Sequence, residues 1–211
     1  MNKTMMYSKI DLTCLKPTAD YWDIFKLCEK AEKNNIITVC VPPYYVNLVS
    51  KHFPHLDICT VIGFPFGYTT IEAKIAEAKR ALEDGAEELD IVINLAELQN
   101  GNYEYIQREI KEIINALPYN PIVKIIVETC YLDKVQLEII TKIVDDSKVT
   151  YIKTSTGYGT RGASYEDIKI IRNSITNNTL IKASGGIRTL EEVEQYIKLG
   201  CDRIGMSEVP K

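Results

Sequence analysis

Eight short runs of apolar and β-branched residues recur along the chain of 211 residues, and amphipathic stretches separate them. Most of the runs are almost continuously apolar, which is typical of parallel strands that are covered on both faces. Strands that alternate with helical segments predict repeated βα units and a parallel sheet. The predicted strands span residues 9–13, 37–41, 58–63, 88–94, 122–128, 149–154, 179–184 and 202–206.

The segments between the strands show helical periodicity and helix-end signals. Thr69 and Glu72 predict a capping box before one helix, and Gly85 predicts its end. Thr189 and Glu192 predict the same kind of start for the last helix. The apolar residues of the first of these helices recur on one face, at Ile71, Ile75, Ala78 and Leu82.

These units predict one α/β domain over residues 1–211, folded as a closed (β/α)8 barrel of the TIM type. An open, doubly wound sheet is the alternative. The sequence contains no Gly/Ser/Pro-rich linker that would mark a domain boundary. Because only SEVPK follows the last predicted strand, we expect the final helix to be short or missing.

The composition argues against several classes of partner. The formal net charge is −4 and the charges are interspersed, so no basic stripe predicts binding to nucleic acid. No apolar run approaches the length of a membrane span and the first residues lack a secretory signal, so we expect a cytoplasmic protein with no membrane partner. The six cysteines are scattered without a C-x-x-C pair, which indicates free thiols.

Charged residues interrupt the apolar strands toward the ends where a barrel builds its active site. Three lysines and three carboxylates predict one charge-compensated network, because buried charges persist only when they are paired. Structural ion pairs are the alternative for Asp11 and Asp90. Asn94, on the face of Asp90 in the predicted strand, and Glu128 are each a candidate for either a supporting or a reacting residue. The six charged residues are Asp11, Asp90, Lys124, Glu128, Lys153 and Lys182.

Lys153 and Lys182 stand at matching points of neighbouring predicted strands, in YIKTSTG and LIKASGG. A lysine amine attacks a carbonyl carbon only when it is unprotonated, and burial and a second cation both favour that form. A nearby carboxylate can move protons. The pair therefore predicts an enzyme that makes or breaks carbon–carbon bonds through an imine and an enamine. A single lysine at a strand end would more often extend to water.

Glycines follow the last predicted strands at points where many barrels bind phosphate through backbone N–H groups. Each glycine alone would indicate an ordinary turn, but their joint placement predicts a phosphate site. Arg188 is a further candidate for this site. The residues predicted to face the phosphate are Gly157, Gly185, Gly186, Gly205 and Ser207.

Neither a metal nor a nucleotide cofactor is predicted. The two histidines, His52 and His55, precede the third predicted strand and therefore belong to the face opposite the active site. The chain has no P-loop, and no G-x-G-x-x-G motif follows its first strand.

Seven stretches of the chain match one enzyme family: IDLTCLKPTA, VCVPPYYV, TVIGFPFGYTTIEAKIAEAKRALEDGAEELDIVIN, VKIIVETCYL, YIKTSTGYGTRGAS, IKASGGIRT and DRIGMS. Through them the chain resembles the class I 2-deoxy-D-ribose-5-phosphate aldolases over nearly its full length. The resemblance implies a metal-independent lyase of deoxyribose phosphate catabolism. Such an enzyme reversibly cleaves 2-deoxy-D-ribose 5-phosphate into D-glyceraldehyde 3-phosphate and acetaldehyde. It also implies a homo-oligomer, because a homodimer is common among these enzymes.

The resemblance implies a role for each matching residue. Lys153 would form the Schiff base, and Lys182 would favour its unprotonated amine and join the proton relay. Asp90 would donate and accept protons through water. The glycines and Ser207 would hold the 5-phosphate. The substrate would also be bound by Asp11, Thr13 and Cys40, the last as a pocket-lining thiol.

Three features depart from the family pattern. The chain has Val41-Pro42-Pro43 where many members read V-N-P, which removes a backbone amide in the loop after the second predicted strand. Glu208 follows Ser207 where a second serine is usual, and a carboxylate beside a phosphate is unfavourable. The usual final helix is not evident. Two other functions therefore stay open: an imine aldolase for a different sugar, phosphorylated or not, and a non-catalytic barrel that binds a ligand.

Overall fold

Eight parallel strands close into a barrel in the computed structural model, which describes residues 1–210. Neighbouring strands pair in chain order, and the last pairs with the first, so the fold is a (β/α)8 barrel and not an open sheet. The strands are β1 (Ile10–Thr13), β2 (Thr38–Val41), β3 (Asp57–Ile62), β4 (Glu88–Val92), β5 (Ile122–Ile126), β6 (Tyr151–Lys153), β7 (Leu180–Ser184) and β8 (Arg203–Met206).

All eight predicted strands are confirmed, but four of them end earlier than predicted: β3 and β6 by one residue, and β4 and β5 by two. β4 ends at Val92, because Asn94 is the N-cap of the next helix and its side chain accepts backbone N–H groups there. β5 ends at Ile126, and Glu128 has a left-handed backbone with φ of 51°. The predicted strand faces of Asn94 and Glu128 are therefore wrong.

Nine α-helices lie in the described part of the chain: α1 (Lys3–Tyr7), α2 (Tyr21–Lys33), α3 (Val46–His52), α4 (Ile71–Glu83), α5 (Leu95–Gln99), α6 (Tyr103–Ala116), α7 (Lys134–Asp146), α8 (Tyr165–Ser174) and α9 (Leu190–Lys198). α1 precedes the barrel, and two helices, α5 and α6, follow β4. Residues 207–210, after β8, are not helical, in agreement with the expectation for this segment.

The predicted helix caps are confirmed in one case and displaced in the other. At α9, the Thr189 side chain accepts the Glu192 N–H, and the Glu192 carboxylate accepts the Thr189 N–H, so the capping box forms. At α4, the N-cap is Thr70, and the prediction of Thr69 is wrong by one residue. Gly85 follows α4 with φ of 108°, a conformation that favours glycine.

The main apolar core lies between the strands and the helices, whereas the barrel interior is largely charged. In β4, Glu88 and Asp90 alternate with Leu89 and Ile91, so the two faces of the strand meet opposite environments. Leu89 and Ile91 join the main core. A second, much smaller apolar cluster consists of Cys40, Cys59 and Val61.

The cysteines and the histidines lie as the sequence predicted. All six cysteines carry free thiols, and five of them are buried. His52 ends α3 and His55 lies between α3 and β3, so both are at the N-terminal end of the strands, as predicted. Within residues 1–210, no helix has the length and apolar character that crossing a membrane requires.

Candidate active site

The structure brings the two predicted lysines together with Asp90. Lys153 ends β6 and is the register partner of Lys182 in β7. Both ammonium groups donate to one atom, Oδ2 of Asp90, with N–O distances of 2.7 Å each. Lys182 and Asp90 are fully buried, and Lys153 is 3% exposed. The three residues therefore form one hydrogen-bonded group below the mouth of the barrel.

This group is part of a larger set of ion pairs that we call the barrel network. Lys124 Nζ lies 2.9 Å from Asp90 Oδ1 and 2.5 Å from Glu88 Oε2. Arg203 Nη1 lies 2.7 Å from Asp11 Oδ1, and its Nη2 lies 3.3 Å from Glu88 Oε1. The members of the barrel network are Asp11, Glu88, Asp90, Lys124, Lys153, Lys182 and Arg203.

The electrostatics of the barrel network favour the charged forms of Asp11, Asp90 and Lys182. Burial alone would raise the pKa of Asp90, but Lys124, Lys153 and Lys182 outweigh it and hold that pKa well below its ordinary value. Burial is likewise outweighed at Asp11, whose pKa the neighbouring cations lower. Burial acts to lower the pKa of Lys182, but Asp11 and Asp90 raise it above its ordinary value.

Sequence reasoning missed two members of the barrel network, Glu88 and Arg203. Glu88 precedes Asp90 by two residues, so the period of a strand places both on one face of β4. Arg203 is the register partner of Lys182 in β8. The first signal is visible in the sequence. The second requires the register between β7 and β8, which the sequence does not state.

Glu128, predicted as a member, lies beside the barrel network and not in it. Its carboxylate accepts the backbone N–H of Thr156 at 3.2 Å and also the hydroxyl of that residue. A Cβ at Gly159 would lie 3.1 Å from the Glu128 carboxyl carbon. Burial raises the pKa of Glu128, although the hydrogen bonds of Thr156 oppose this effect. Glu128 therefore shapes the loop after β6.

A cavity of about 490 Å³ opens at the C-terminal ends of the strands. Lys153 borders this cavity together with the loops after β6, β7 and β8. The position agrees with the usual location of an active site in this fold. The predicted residues that border it are Thr13, Lys153, Gly157, Gly185, Gly186, Gly205 and Ser207.

Two successive glycines form part of the cavity wall, and a Cβ at the first, Gly185, would lie 2.8 Å from the Cα of Gly162. Gly185 and Gly186 have φ of 87° and 80°, in the left-handed region that L side chains rarely adopt. A Cβ at Gly186 would meet no atom within 4 Å, because this residue faces free space. A ligand can therefore approach the backbone here more closely than a side chain would allow.

Four cations also border the cavity, and sequence reasoning named only one of them, Arg188. Lys16 follows β1, and Lys26 and Lys30 lie one turn apart on α2. Glu208, which departs from the family pattern, pairs with Lys30 at 2.8 Å. The carboxylate of Glu208 is therefore compensated, and the positive groups around it favour an anionic ligand.

Asp11 and Cys40, which were predicted to bind substrate, are not among the residues that border the cavity. The Asp11 carboxylate is fully buried and accepts hydrogen bonds from Lys182 and Arg203. Cys40 is fully buried against its register partner Cys59. Both side chains therefore lie in the barrel interior, where the inward faces of the strands meet.

Two buried groups have the atom types and spacing of a metal site, namely Cys40, Cys59 and Asp90, and Asp11, Cys59 and Glu88. The ammonium group of Lys124 contacts both groups. Its Nζ lies 3.3 Å from Cys59 Sγ, in addition to its contacts with Asp90 and Glu88. A metal ion would have to compete with this ammonium for the same ligands.

The fold and the site together define the class: a (β/α)8-barrel lyase with paired lysines at its active end. The sequence model of the DeoC/LacD family of aldolases matches residues 2–206, and the chain belongs to this family. A relative from Treponema denticola, named deoxyribose-phosphate aldolase, is 49% identical over 201 residues, which are 94% of this chain and 93% of the relative.

Solved structures agree with this assignment. An aldolase named QR15 superposes with a TM-score of 0.92 at 39% identity, covering 96% of this chain and 91% of its own. A deoxyribose phosphate aldolase from Aeropyrum pernix, described as having a unique tetrameric structure, gives a TM-score of 0.89 at 30% identity over 98% and 88%. The protein is therefore an aldolase with the fold of these enzymes.

Proposed function

We propose that the protein is a class I aldolase that reversibly cleaves 2-deoxy-D-ribose 5-phosphate into D-glyceraldehyde 3-phosphate and acetaldehyde. One observation carries the proposal: Lys153 borders the cavity while its Nζ shares Asp90 Oδ2 with Lys182. A lysine in this position can reach a substrate and pass its proton to a buried relay. The relatives named for this activity supply the substrate.

The first step forms the covalent intermediate. The unprotonated amine of Lys153 attacks C1 of the open-chain aldehyde, and the resulting carbinolamine loses water to give an iminium ion. Protons leave the nitrogen and reach the departing hydroxyl through Asp90 and Lys182. Because neither of these two residues borders the cavity, water completes the path between them and the substrate.

The second step breaks the C2–C3 bond. The C3 hydroxyl loses its proton and C3 becomes the aldehyde carbon of D-glyceraldehyde 3-phosphate. The electron pair of the broken bond moves toward the iminium nitrogen, which leaves an enamine of acetaldehyde on Lys153. Protonation of this enamine at carbon and addition of water then release acetaldehyde and restore the free amine of Lys153.

The 5-phosphate would lie against the glycine loops after β6 and β7, beside Ser207. Lys16 and Arg188 would supply positive charge at the same end. An aldolase for another sugar is the competing function. Turnover of 2-deoxyribose 5-phosphate and of free 2-deoxyribose separates the two, because better turnover of the free sugar would reject a phosphate site.

We also infer that residues 1–211 make a single domain, that the enzyme acts in the cytoplasm and that it assembles as a homodimer. The tetramer described for the Aeropyrum pernix relative supports self-association in this family. Sedimentation equilibrium would measure the mass of the assembly. A monomer over the working concentration range would reject the homodimer.

Borohydride reduction in the presence of 2-deoxyribose 5-phosphate, followed by peptide mass spectrometry, tests the mechanism. We expect the reduced adduct on the peptide that contains Lys153, and none in Lys153→Leu. Lys198→Leu, on the surface helix α9, is the matched control and should give the wild-type adduct. An adduct on Lys182 would reverse the roles of the two lysines. No adduct in folded protein, together with binding of the sugar phosphate, would indicate a non-catalytic barrel.

A further inference from the structure

Arg203 belongs to the barrel network but does not border the cavity. It begins β8, and three groups fix its guanidinium. Nη1 donates to Asp11 Oδ1 at 2.7 Å and to Thr38 Oγ1 at 2.8 Å, and Nη2 donates to Glu88 Oε1 at 3.3 Å. The Arg203 side chain is 15% exposed. A guanidinium held in this way keeps both its position and its charge.

The barrel network contains four cations and three carboxylates within residues 1–210. When every member is ionised, one positive charge is therefore in excess. A buried cluster with an excess charge lowers its free energy by losing a proton from the cation that is held least strongly. Arginine does not lose a proton in proteins, so this cation is one of the three lysines.

The contacts of the three lysines indicate which one loses the proton. Within the described chain, Lys124 lies within ion-pair distance of three carboxylates, and Lys182 of two. Lys153 pairs only with Asp90, and its side chain alone among the three has contact with solvent, at 4% exposed. Lys153 is therefore the cation that the carboxylates hold least strongly.

Arg203 shares two carboxylates with Lys124 and Lys182, and so neutralises part of the negative charge that these lysines contact. Asp11 is divided between Arg203, on Oδ1, and Lys182, on Oδ2. Glu88 is divided in the same manner between Arg203, on Oε1, and Lys124, on Oε2. Without the guanidinium, three carboxylates would face three lysines. The charges would then balance with all three lysines protonated.

We propose that Arg203 is a positioning residue that leaves the amine of Lys153 free, by supplying the fourth, permanent positive charge of the barrel network. Arg203 acts through Asp11 and Glu88 and touches no substrate. The inference rests on the proposed function, in which Lys153 is the nucleophile. Removal of the Glu88 carboxylate charge should have the opposite effect to removal of Arg203. It should favour the unprotonated amine of Lys153 further.

Titratable and charged groups face Lys153 from every strand of the barrel except its own. Glu128 is close to Lys153, but its carboxylate is engaged by Thr156 and burial raises its pKa. Arg203 and Glu88 neither react in the proposed mechanism nor contact Lys153. The full set is Asp11, Cys40, Cys59, Glu88, Asp90, Lys124, Glu128, Lys182 and Arg203.

The test measures the pH dependence of imine formation on Lys153. Acetaldehyde and borohydride are added across a range of pH, and the rate of appearance of the reduced adduct is followed by mass spectrometry. In Arg203→Met we expect the acidic limb of this profile to move to higher pH by about one unit, which is the effect of one charge across a protein interior of intermediate dielectric. Glu88→Gln should move it to lower pH by a similar amount.

Two further variants separate charge from packing. Arg203→Lys keeps a positive charge and should give a profile near that of the wild type. Arg203→Met combined with Glu88→Gln restores the excess of one positive charge and should also return the limb toward the wild-type position. A merely structural role for Arg203 predicts lower thermal stability in Arg203→Met, with an unchanged profile in the folded fraction, and that result would overturn the proposal.

If Arg203→Met does not fold, Glu88→Gln still tests the proposal. An unchanged pH profile of imine formation in Glu88→Gln, or a shift of its acidic limb to higher pH, also overturns the proposal. The failure of the proposed function is recognised separately. Wild-type protein that gives no acetaldehyde adduct on Lys153 rejects the imine mechanism itself. A wild-type adduct without the expected shifts rejects only the role of Arg203.

Discussion

Two regions of this protein bury lysines completely, and they use them differently. The barrel network contains Lys124 and Lys182, both without solvent exposure. Outside the barrel, Lys74 of α4 and Glu109 of α6 form a single pair, with an N–O distance of 2.6 Å, which we call the helix pair. Lys74 is also fully buried. Burial of a lysine alone therefore does not identify a catalytic site.

The pKa shifts of lysines and carboxylates have opposite directions in the two regions. In the helix pair, burial lowers the pKa of Lys74 and raises that of Glu109, although each partner opposes the shift. In the barrel network, several partners outweigh burial, which raises the pKa of Lys124 and lowers that of Asp90. A single partner does not offset the loss of water, whereas a cluster does.

The two regions also differ in what they contact. Lys74 donates to the carbonyl of Val92 at 2.7 Å, and Glu109 accepts the N–H of Asn94 at 2.9 Å. The helix pair therefore holds the C-terminal end of β4, the strand that carries Asp90. The barrel network instead reaches the cavity through Lys153. Access to the cavity and an excess of positive charge therefore distinguish the barrel network from the helix pair.

The largest effect should come from removing the amine that reaches the cavity. We expect Lys153→Leu to reduce kcat/KM on the order of 10⁵-fold, because the covalent intermediate is lost. Its thermal unfolding should stay close to that of the wild type, since Asp90 keeps Lys124 and Lys182 as ionic partners. A steady-state assay with 2-deoxyribose 5-phosphate measures the change. Activity within tenfold of the wild type would remove Lys153 from the mechanism.

Asp90→Asn should have the second largest effect. The amide keeps the shape of the side chain but removes the charge that both Lys153 and Lys182 contact, and we expect kcat to fall about 10²- to 10⁴-fold. Asp84→Asn, in an exposed pair with Arg80, is the matched control and should leave kcat unchanged. Equal kcat values for the two variants would contradict a role in proton transfer.

The helix pair should affect stability and leave the chemistry unchanged. We expect Lys74→Met to lower the free energy of unfolding by about 3–5 kcal/mol, because it leaves Glu109 buried without its cation. The kcat of the folded fraction should stay within about twofold of the wild type. Urea denaturation and a steady-state assay on the same samples measure both quantities.

The exposed Lys79→Met on the same helix is the control for Lys74→Met and should be close to neutral. Adding Glu109→Gln to Lys74→Met should recover part of the lost stability, since the amide oxygen can still accept the Asn94 N–H. A loss of kcat similar to that of Asp90→Asn would mean that the helix pair takes part in the reaction.

Acid should weaken the barrel network over a defined range. Folding lowers the pKa of Asp90 and Asp11, so their stabilising contribution is complete above the ordinary aspartate value of about 3.9 and is lost as the pH falls below it. We expect the Tm to fall steeply below about pH 4. In Asp11→Asn this dependence should be shallower. Identical slopes for the two proteins would show that Asp11 contributes nothing to acid stability.

The smallest effect should come from the rim of the cavity. Glu208 and Lys30 form an exposed pair, and such pairs contribute about 0–1 kcal/mol. Glu208→Gln should therefore leave Tm unchanged and lower the KM for the sugar phosphate by no more than a few-fold, because Lys30 is released toward the anion. Lys30→Gln should raise KM. A large rise in KM for Glu208→Gln would mean that this carboxylate binds the substrate directly.

The order of strands and helices and the matched lysines were predictable from local patterns. Apolar runs indicate the strands, and because the strands of repeated βα units are parallel, their C-terminal ends all lie at the same rim of the barrel. Lys153, Lys182 and the glycine loops therefore had to meet at one end of the barrel. The N-cap of α4 was predicted one residue too early, at Thr69 and not Thr70, because either of two neighbouring threonines has the side chain that an N-cap requires.

Only the closed barrel decides which inward charges contact one another. Arg203 enters the barrel network and Glu128 leaves it, because register across strands and the point where a strand ends are non-local properties. The cationic rim at Lys26 and Lys30 likewise depends on how α2 packs over the cavity. Local sequence fixes which residues point inward, but contact across the barrel depends on closure, which joins residues far apart in the chain.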